Sequence, residues 1–437
     1  VGNRPIEIRP LEEAVALVRT TDTLAVPLGP GQPTSFLHAL SASDDFENLQ
    51  VFGALLLDLY PLFAKPGVHF TTGFFGPAER ALLAAGHDVQ FVPGDFRRFA
   101  GMVEMLAPRV MATAVAPPGA DGSASLSLHA GATVDALRAC GRDPDRVLIA
   151  EINRDLPRTV GMPPEFPHAL TVDEVDVWVE SRHPVRTLPD AEPTEIERAI
   201  AGHASGYIHD GATLQTGIGG IPSAVASLLA HGDGGDYGIH SEMFTTGLMR
   251  LVEAGKVTNR RKGQFDGFSI CTFALGTEEL HRWLDGREDV RFLPVDQVND
   301  PTTIANNQGM ISINGALSVD LHGQVVADTI DGRQHSGIGG HEDFVSGASM
   351  QLDDRSLVCL PATARAGDRI VSRIQARLPS GTVVTTPRHQ LDVIITEYGA
   401  AELRGRTVAQ RAEALAAVAH PSVREALLRG ETDLEIG

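Results

Sequence analysis

Glu242 stands in the stretch "YGIHSEMFTTG" (237–247), with His240 and Ser241 before it and Met243 and Phe244 directly after. A carboxylate set among apolar and small hydroxyl residues is not an ordinary solvated glutamate; it is a candidate acid, base or nucleophile. Two glycine loops accompany it. "QTGIGGIPSAV" (215–225) follows a strand-like run and opens a helix-like one. Its backbone N–H groups would lie at a positive dipole end, which suits a phosphate or an oxyanion. "SGIGGHEDFVSGA" (336–348) carries adjacent Gly339 and Gly340, which let main chain approach a ligand closely. Converging N–H groups in such a turn stabilise charge on a thioester or carboxylate oxygen. Asn299 in "PVDQVNDP" and Asn314 in "MISINGALSVDLHGQV" are candidate amide donors, with turn-forming asparagine as the competing reading for each.

Other chemistries fit less well. The first loop has Pro222 where the dinucleotide fingerprint needs its third glycine. His240-Ser241-Glu242 has the H-x-E form of zinc deaminases, but the chain lacks their P-C-x-x-C partner. His335, His341, Glu342 and Asp343 are too close in sequence to converge readily on one metal ion, so no metal is expected. No G-x-S-x-G elbow is present.

These residues need elements to position them. Short β-branched runs (23–28, 146–152, 175–180, 267–273, 392–399) alternate with Ala/Leu-rich helical stretches (11–19, 194–204, 222–230, 408–418). That alternation predicts an α/β protein with largely parallel sheets covered by helices. At 437 residues the chain is too long for one core. Three prolines and a capping box at Thr194 and Glu197 mark a linker within 182–198. The expected division is a first domain over 1–185, a linker over 186–194 and a second domain over 195–437. An internal echo supports two similar domains: "TLAVPLGPGQPTSFLHAL" from Thr23 matches "TLQTGIGGIPSAVASLL" from Thr213. Both read as strand, glycine turn, proline at the first helical position, then helix.

A net charge of −20 with no basic run argues against a nucleic-acid partner. The longest apolar stretch, "VFGALLLDLYPLFA", is broken by Asp58 and Pro61 and is too short for a membrane span. Three scattered cysteines form neither a disulfide framework nor a zinc pattern. The N-terminal residues lack a signal pattern, and the expected location is cytoplasmic.

Taken together, "TGIGGIPSAV", "GIHSEMFTTG", "VNDP", "SINGALSVDLHGQV", "SGIGGHEDFVSGA" and "ITEYGAAELRGRT" resemble the acetyl-CoA hydrolase/transferase family, especially its 4-hydroxybutyrate/butyrate CoA-transferase branch. "VAPPGADGSASLS" and "EINRDLPRT" extend the resemblance into the first half. It implies two CoA-transferase-type domains, with Glu242 as nucleophile, Asn299 as active-site amide and Gly340 as oxyanion-hole glycine. It also implies a CoA-binding loop at Gly217, Ile218, Gly219, Gly220 and Ile221, with Leu317 as an apolar contact and Arg365 facing a CoA phosphate. Coenzyme A is then a substrate, with no permanently bound cofactor, and acyl-CoA and small carboxylates are the partners. A homodimer rests on family analogy alone.

The expected reaction is ping-pong CoA transfer between short carboxylic acids through a glutamyl-CoA thioester on Glu242. The alternatives are an acyl-CoA hydrolase using the same glutamate and a silent CoA-binding protein. A related sugar-phosphate isomerase fold suits the "GIHSEM" context poorly. Three positions depart from the family pattern. Thr245-Thr246 replaces S-D, His341-Glu342 replaces Q-x in G-G-Q-x-D-F, and Arg365 replaces a lysine. The second departure bears on acyl-group specificity.

Overall fold

Four of the five β-branched runs supply strands of two sheets in the computed structural model, which describes residues 6–129, 131–190 and 192–436. In the first sheet the strands are β1 (Thr21–Ala25), β2 (Asn48–Gly53), β3 (Val68–Thr72), β4 (Val89–Phe91), β5 (Val110–Val115), β6 (Val147–Ile152) and β7 (Val177–Glu180). They lie in the order β4-β3-β2-β1-β5-β6-β7, every neighbouring pair parallel. All six residues of β5, "VMATAV", are buried, as expected for a parallel strand covered on both faces. One apolar cluster contains Phe36, Leu37, Phe63 and Phe70; another contains Met111, Leu137, Leu148 and Trp178.

The second sheet comprises β8 (Thr213–Thr216), β9 (Gly238–Ile239), β10 (Met310–Gly315), β11 (Arg355–Cys359), β12 (Val393–Thr396) and β13 (Gly399–Glu402). Its order is β9-β8-β10-β11-β12-β13, parallel except for the β12–β13 edge. Strand order reverses at β1 in the first sheet and at β8 in the second. The two strands of the internal echo thus occupy the switch points, where open α/β sheets place ligands. No helix among the described residues is long and apolar enough to cross a membrane.

The chain divides into two compact units. One runs to Leu188 and takes in Ile270–Val298; the other comprises Pro189–Ser269 and Asn299–Gly437. The first boundary falls inside the expected linker, of which Ala191 lies outside the described residues. The segment Ile270–Val298, expected in the second domain, packs within the first unit. Ala274 N–H donates to Leu128 O at 2.8 Å and Val295 N–H to Gly131 O at 2.9 Å. A chain that crosses back in this way leaves no compositional mark at the crossing. For the same reason the run at 267–273 forms two short strands, Ser269–Cys271 and Phe273–Ala274, outside both large sheets.

Helix starts follow the sequence closely. Thr194 Oγ1 accepts from Glu197 N–H at 3.3 Å, and Glu197 Oε2 accepts from Thr194 N–H at 2.7 Å. This reciprocal box opens the helix Glu195–Ser205. The helix after β8 starts earlier than expected, at Gly220, so Pro222 is its third residue. Proline is tolerated there because the first-turn N–H groups have no intrahelical partner.

The Thr194→Ala substitution should lower the stability of the second unit by about 1 kcal/mol. Denaturant unfolding measures the loss. Faster hydrogen exchange at the Glu197 amide would assign it to the cap.

Candidate active site

The site grows from the carboxyl ends of β8, β9 and β10. At the end of β8, Gln215 reaches across to β10, its Oε1 accepting from Ile313 N–H at 3.1 Å and Asn314 Nδ2 at 3.4 Å. Asn314, a candidate donor from its residue type, thus spends its amide in holding two strand ends together. Beyond Thr216 the chain enters the glycine loop. Gly219 has φ +118°, a backbone conformation that only glycine adopts freely. A Cβ at Gly217 or Gly219 would meet nothing within 4 Å among the described residues, so this stretch of main chain faces open space. Gly220 differs, because a Cβ there would lie 2.3 Å from the Glu197 carboxyl group.

The first unit closes the equivalent position. After β1 and its turn comes the helix Thr34–Leu40, with two of its first-turn N–H groups occupied. The buried Glu151 carboxylate accepts from Ser35 N–H at 3.1 Å and Phe36 N–H at 2.8 Å. Of the two echoed turns, the one after β8 keeps main chain open at Gly217 and Gly219.

Glu242 is the third residue after β9. That strand is tied down on both sides: His240 N–H donates to Leu214 O at 3.1 Å, and Ile239 N–H to Asn259 Oδ1 at 2.9 Å. Ser241 Oγ donates between the carbonyls of Thr216 (3.2 Å) and Met243 (2.8 Å), which links the glycine-loop strand to the glutamate. Immediately after it, Thr245 caps the helix Thr246–Glu253 by accepting from Leu248 N–H at 3.3 Å. That gives the Thr245 departure a structural role.

Three elements then converge. Asn299 is fully buried, and its Nδ2 donates to Glu242 Oε2 at 2.7 Å and to Asp343 Oδ2 at 3.0 Å. The next residue, Asp300, caps the helix Pro301–Ala305 through Thr303 N–H at 2.8 Å. Gly340 is the N-cap of the helix His341–Gly347, with φ −90°. Its glycine identity is set by closeness rather than by dihedral angle. A Cβ there would lie 2.0 Å from Glu242 Oε2 and 2.5 Å from Asn299 Nδ2. The Asn299 carbonyl oxygen is buried without a partner among the described residues, an arrangement that costs about 1–3 kcal/mol.

The structure thus brings Glu242, Asn299 and Gly340 together. It places Gly217 to Ile221 one strand away, at the switch point. Leu317 lies just past β10, half-buried, its N–H donating to Val326 O at 2.8 Å. Arg365 is exposed on the hairpin Thr363–Ala366/Arg369–Ser372. At the base of that hairpin Arg373 N–H donates to Ala362 O at 2.9 Å, and Arg373 O accepts from Val319 N–H at 3.0 Å. Residue types and spacing gave Asp343 and Gln215 no role. The available signal for Asp343 is its position three residues after Gly340, one helical turn away.

Electrostatics sets Glu242 apart. The residue is half-buried, with Asn299 and the Gly340 main chain crowded against its carboxyl group. Burial pushes its pKa up to about 8, opposed by the Asn299 hydrogen bond and reinforced by the Asp343 charge. His341 is also pushed down by burial, to about 4, and is therefore neutral. It donates through Nε2 to Thr386 Oγ1 at 2.8 Å, whose own hydroxyl donates to Glu342 Oε1. Both residues of the His341-Glu342 departure are engaged with Thr386. No group of three His, Cys, Asp or Glu among the described residues could hold a metal ion.

A carboxyl group whose folded pKa exceeds its unfolded value opposes folding once it ionises. For Glu242 this penalty is absent below about 4.5, grows as pH rises and is complete above about 8. Glu242→Gln should therefore gain stability relative to the parent across that interval, as followed by melting temperature against pH. Gly340→Ala should fold yet displace Glu242, lowering turnover on the order of a hundredfold. Steady-state rates on the folded variant test this.

The sequence and fold have named relatives. The acetyl-CoA hydrolase/transferase C-terminal domain family matches residues 276–430. 4-Hydroxybutyrate coenzyme A transferase from Clostridium kluyveri is 41% identical over 283 residues, which are 65% of this chain and 64% of that protein. That alignment spans a little under two thirds of the relative's length. Succinyl-CoA:cyclohexane-1-carboxylate CoA transferase from Geobacter metallireducens is 33% identical over 416 residues, covering 94% of this chain and 92% of that protein. The crystal structure of RipA from Yersinia pestis superposes with a TM-score of 0.87 at 30% identity, over 97% of this chain and 96% of that one. The chain belongs to the acetyl-CoA hydrolase/transferase family, as an enzyme of its CoA-transferase branch.

Proposed function

We propose that this protein moves CoA between short carboxylic acids through covalent intermediates on Glu242. The observation that carries the reading is the convergence of Asn299 and Gly340 on the Glu242 carboxyl group, beside a glycine loop open to a ligand. A glutamate suits this chemistry because it can become first an anhydride and then a thioester.

The steps follow from that geometry. A Glu242 oxygen attacks the carbonyl carbon of an acyl-CoA, the C–S bond breaks, and CoA leaves as thiolate. The thiolate attacks Glu242 Cδ of the anhydride, releasing the first carboxylate and leaving a glutamyl-CoA thioester. A second carboxylate attacks Cδ and frees the thiolate, which takes the new acyl group and restores Glu242. Asn299 Nδ2 and the main chain at Gly340 lie where negative charge develops. One such donor is worth ~3 kcal/mol of barrier. Gly217 to Ile221, Leu317 and Arg365 would hold the CoA, whose distant contacts supply binding energy for positioning the thioester.

Hydrolysis by the same glutamate is the second reading, favoured by the part of Glu242 that stays open to solvent. Comparing acyl-CoA loss with and without a carboxylate acceptor separates the two. Transfer predicts a strong acceptor dependence, and hydrolysis predicts none.

Intact-protein mass spectrometry after mixing with a short acyl-CoA and no acceptor should reveal a CoA adduct. Peptide mapping after borohydride reduction should place it on Glu242. No adduct across a panel of acyl-CoAs, with CoA still bound, would favour the silent binding protein. Glu242→Ala should lose transfer on the order of a thousandfold or more while still binding CoA. Because Glu242 must be ionised to attack, kcat/KM should rise with pH and level off above about 8. A profile flat from pH 6 to 9 would contradict this.

A further inference from the structure

Asn299 serves two carboxylates with one nitrogen. Nδ2 lies 2.7 Å from Glu242 Oε2 and 3.0 Å from Asp343 Oδ2, while Oδ1 is buried with no partner among the described residues. Neither Asn299 nor Asp343 has exposed surface. An amide has a donor end and an acceptor end, and facing Glu242 alone it could present either one. A protonated Glu242 can donate to Oδ1, and an ionised one can only accept from Nδ2. Asp343 removes the choice by taking the second hydrogen of the same nitrogen. Both hydrogens of that nitrogen are thereby held on carboxylates.

Asp343 comes from the segment that supplies Gly340, one turn further along the helix His341–Gly347. One short element thus brings main chain against Glu242 and fixes the amide that contacts it. Glu342, the neighbouring acid, is bound to Thr386 instead. The charge on Asp343 acts on the Glu242 carboxyl and raises its pKa.

We propose that Asp343 is a positioning residue, holding the N–H end of Asn299 on the nucleophilic oxygen of Glu242 through the whole transfer cycle and placing a second negative charge beside it. This rests on Glu242 being the nucleophile. Glu242 carries no charge as first anhydride, as thioester and as second anhydride, and at each of those points it is a weaker acceptor. A free amide would be at liberty to turn at those points. Asp343 is untouched by the chemistry, so the donor stays where the next oxyanion develops.

The test compares Asp343→Asn, which removes the charge, with Asp343→Glu, which keeps it; Asp343→Ser replaces the first if it fails to fold. The Glu242 carboxyl is titrated in the resting protein by 13C NMR on label at glutamate Cδ, assigned with Glu242→Gln. Rates are measured with a short acyl-CoA and acetate. In Asp343→Asn the Glu242 midpoint should fall, while burial still holds it above the ordinary carboxylate range. Its kcat should drop on the order of ten- to a hundredfold, with KM for acyl-CoA little changed. Asp343→Glu should keep the raised midpoint and recover part of kcat. An unmoved midpoint in the neutral variant overturns the proposal, whether kcat is unchanged or falls equally in both variants. The titration needs no turnover. A shifted midpoint without a CoA adduct in the parent protein would therefore sink the nucleophile reading and leave the Asp343–Asn299 pairing standing.

Discussion

Gly340 sets the main chain so close to Glu242 and Asn299 that a single methyl group would fall 2.0 Å from the carboxylate oxygen. Much of the second unit serves that approach. The helix His341–Gly347 must begin exactly one residue later, which its Gly340 cap allows. The strand leading to Glu242 is pinned through Asn259 and Leu214, and Asp300 caps the helix that follows Asn299. Packed interiors transmit small displacements rather than absorbing them. An error of a few tenths of an ångström in any of these anchors would therefore reach the carboxylate.

The same closeness creates an electrostatic conflict. Burial favours the neutral form of Glu242, and the charge on Asp343 favours it further, while the Asn299 hydrogen bond favours the ionised form. Burial wins, which stores cost in the charged state. A carboxylate held in that condition is more basic than a solvated one, and its desolvation is already in place before a ligand arrives. The orphaned Asn299 oxygen is a second local cost of the same kind. Native proteins tolerate few such groups, and those they keep tend to lie at functional sites.

The two glycine turns show how one motif is put to different uses. After β1, the helix N-terminus is filled by Glu151, and the turn becomes part of the first unit's framework. After β8, Gly217 and Gly219 face open space, leaving main chain available to a ligand. The two segments read alike in sequence because both must leave a strand at a topological switch point and start a helix. What separates them is a carboxylate more than a hundred residues away along the chain.

Local chemistry was enough to mark much of this protein. The alternation of strand and helix, the capping box at Thr194, the two glycine loops and the unusual setting of Glu242 are all properties of neighbouring residues, and neighbouring residues determine them. Asn299 and Gly340 acquired roles through likeness to a family, since an asparagine near a proline or a pair of glycines reads equally well as a turn. Asp343, Gln215 and the return of Ile270–Val298 to the first unit were hidden. So was the use of Asn314 in binding β8 to β10. Each depends on which atoms face one another after distant segments pack, as when Asn299 meets residues 57 and 44 positions away. Sequence neighbours fix backbone preference and burial, but hydrogen-bond partners are chosen by packing, and it was packing that put an acid, an amide and a bare stretch of main chain within one side chain's reach.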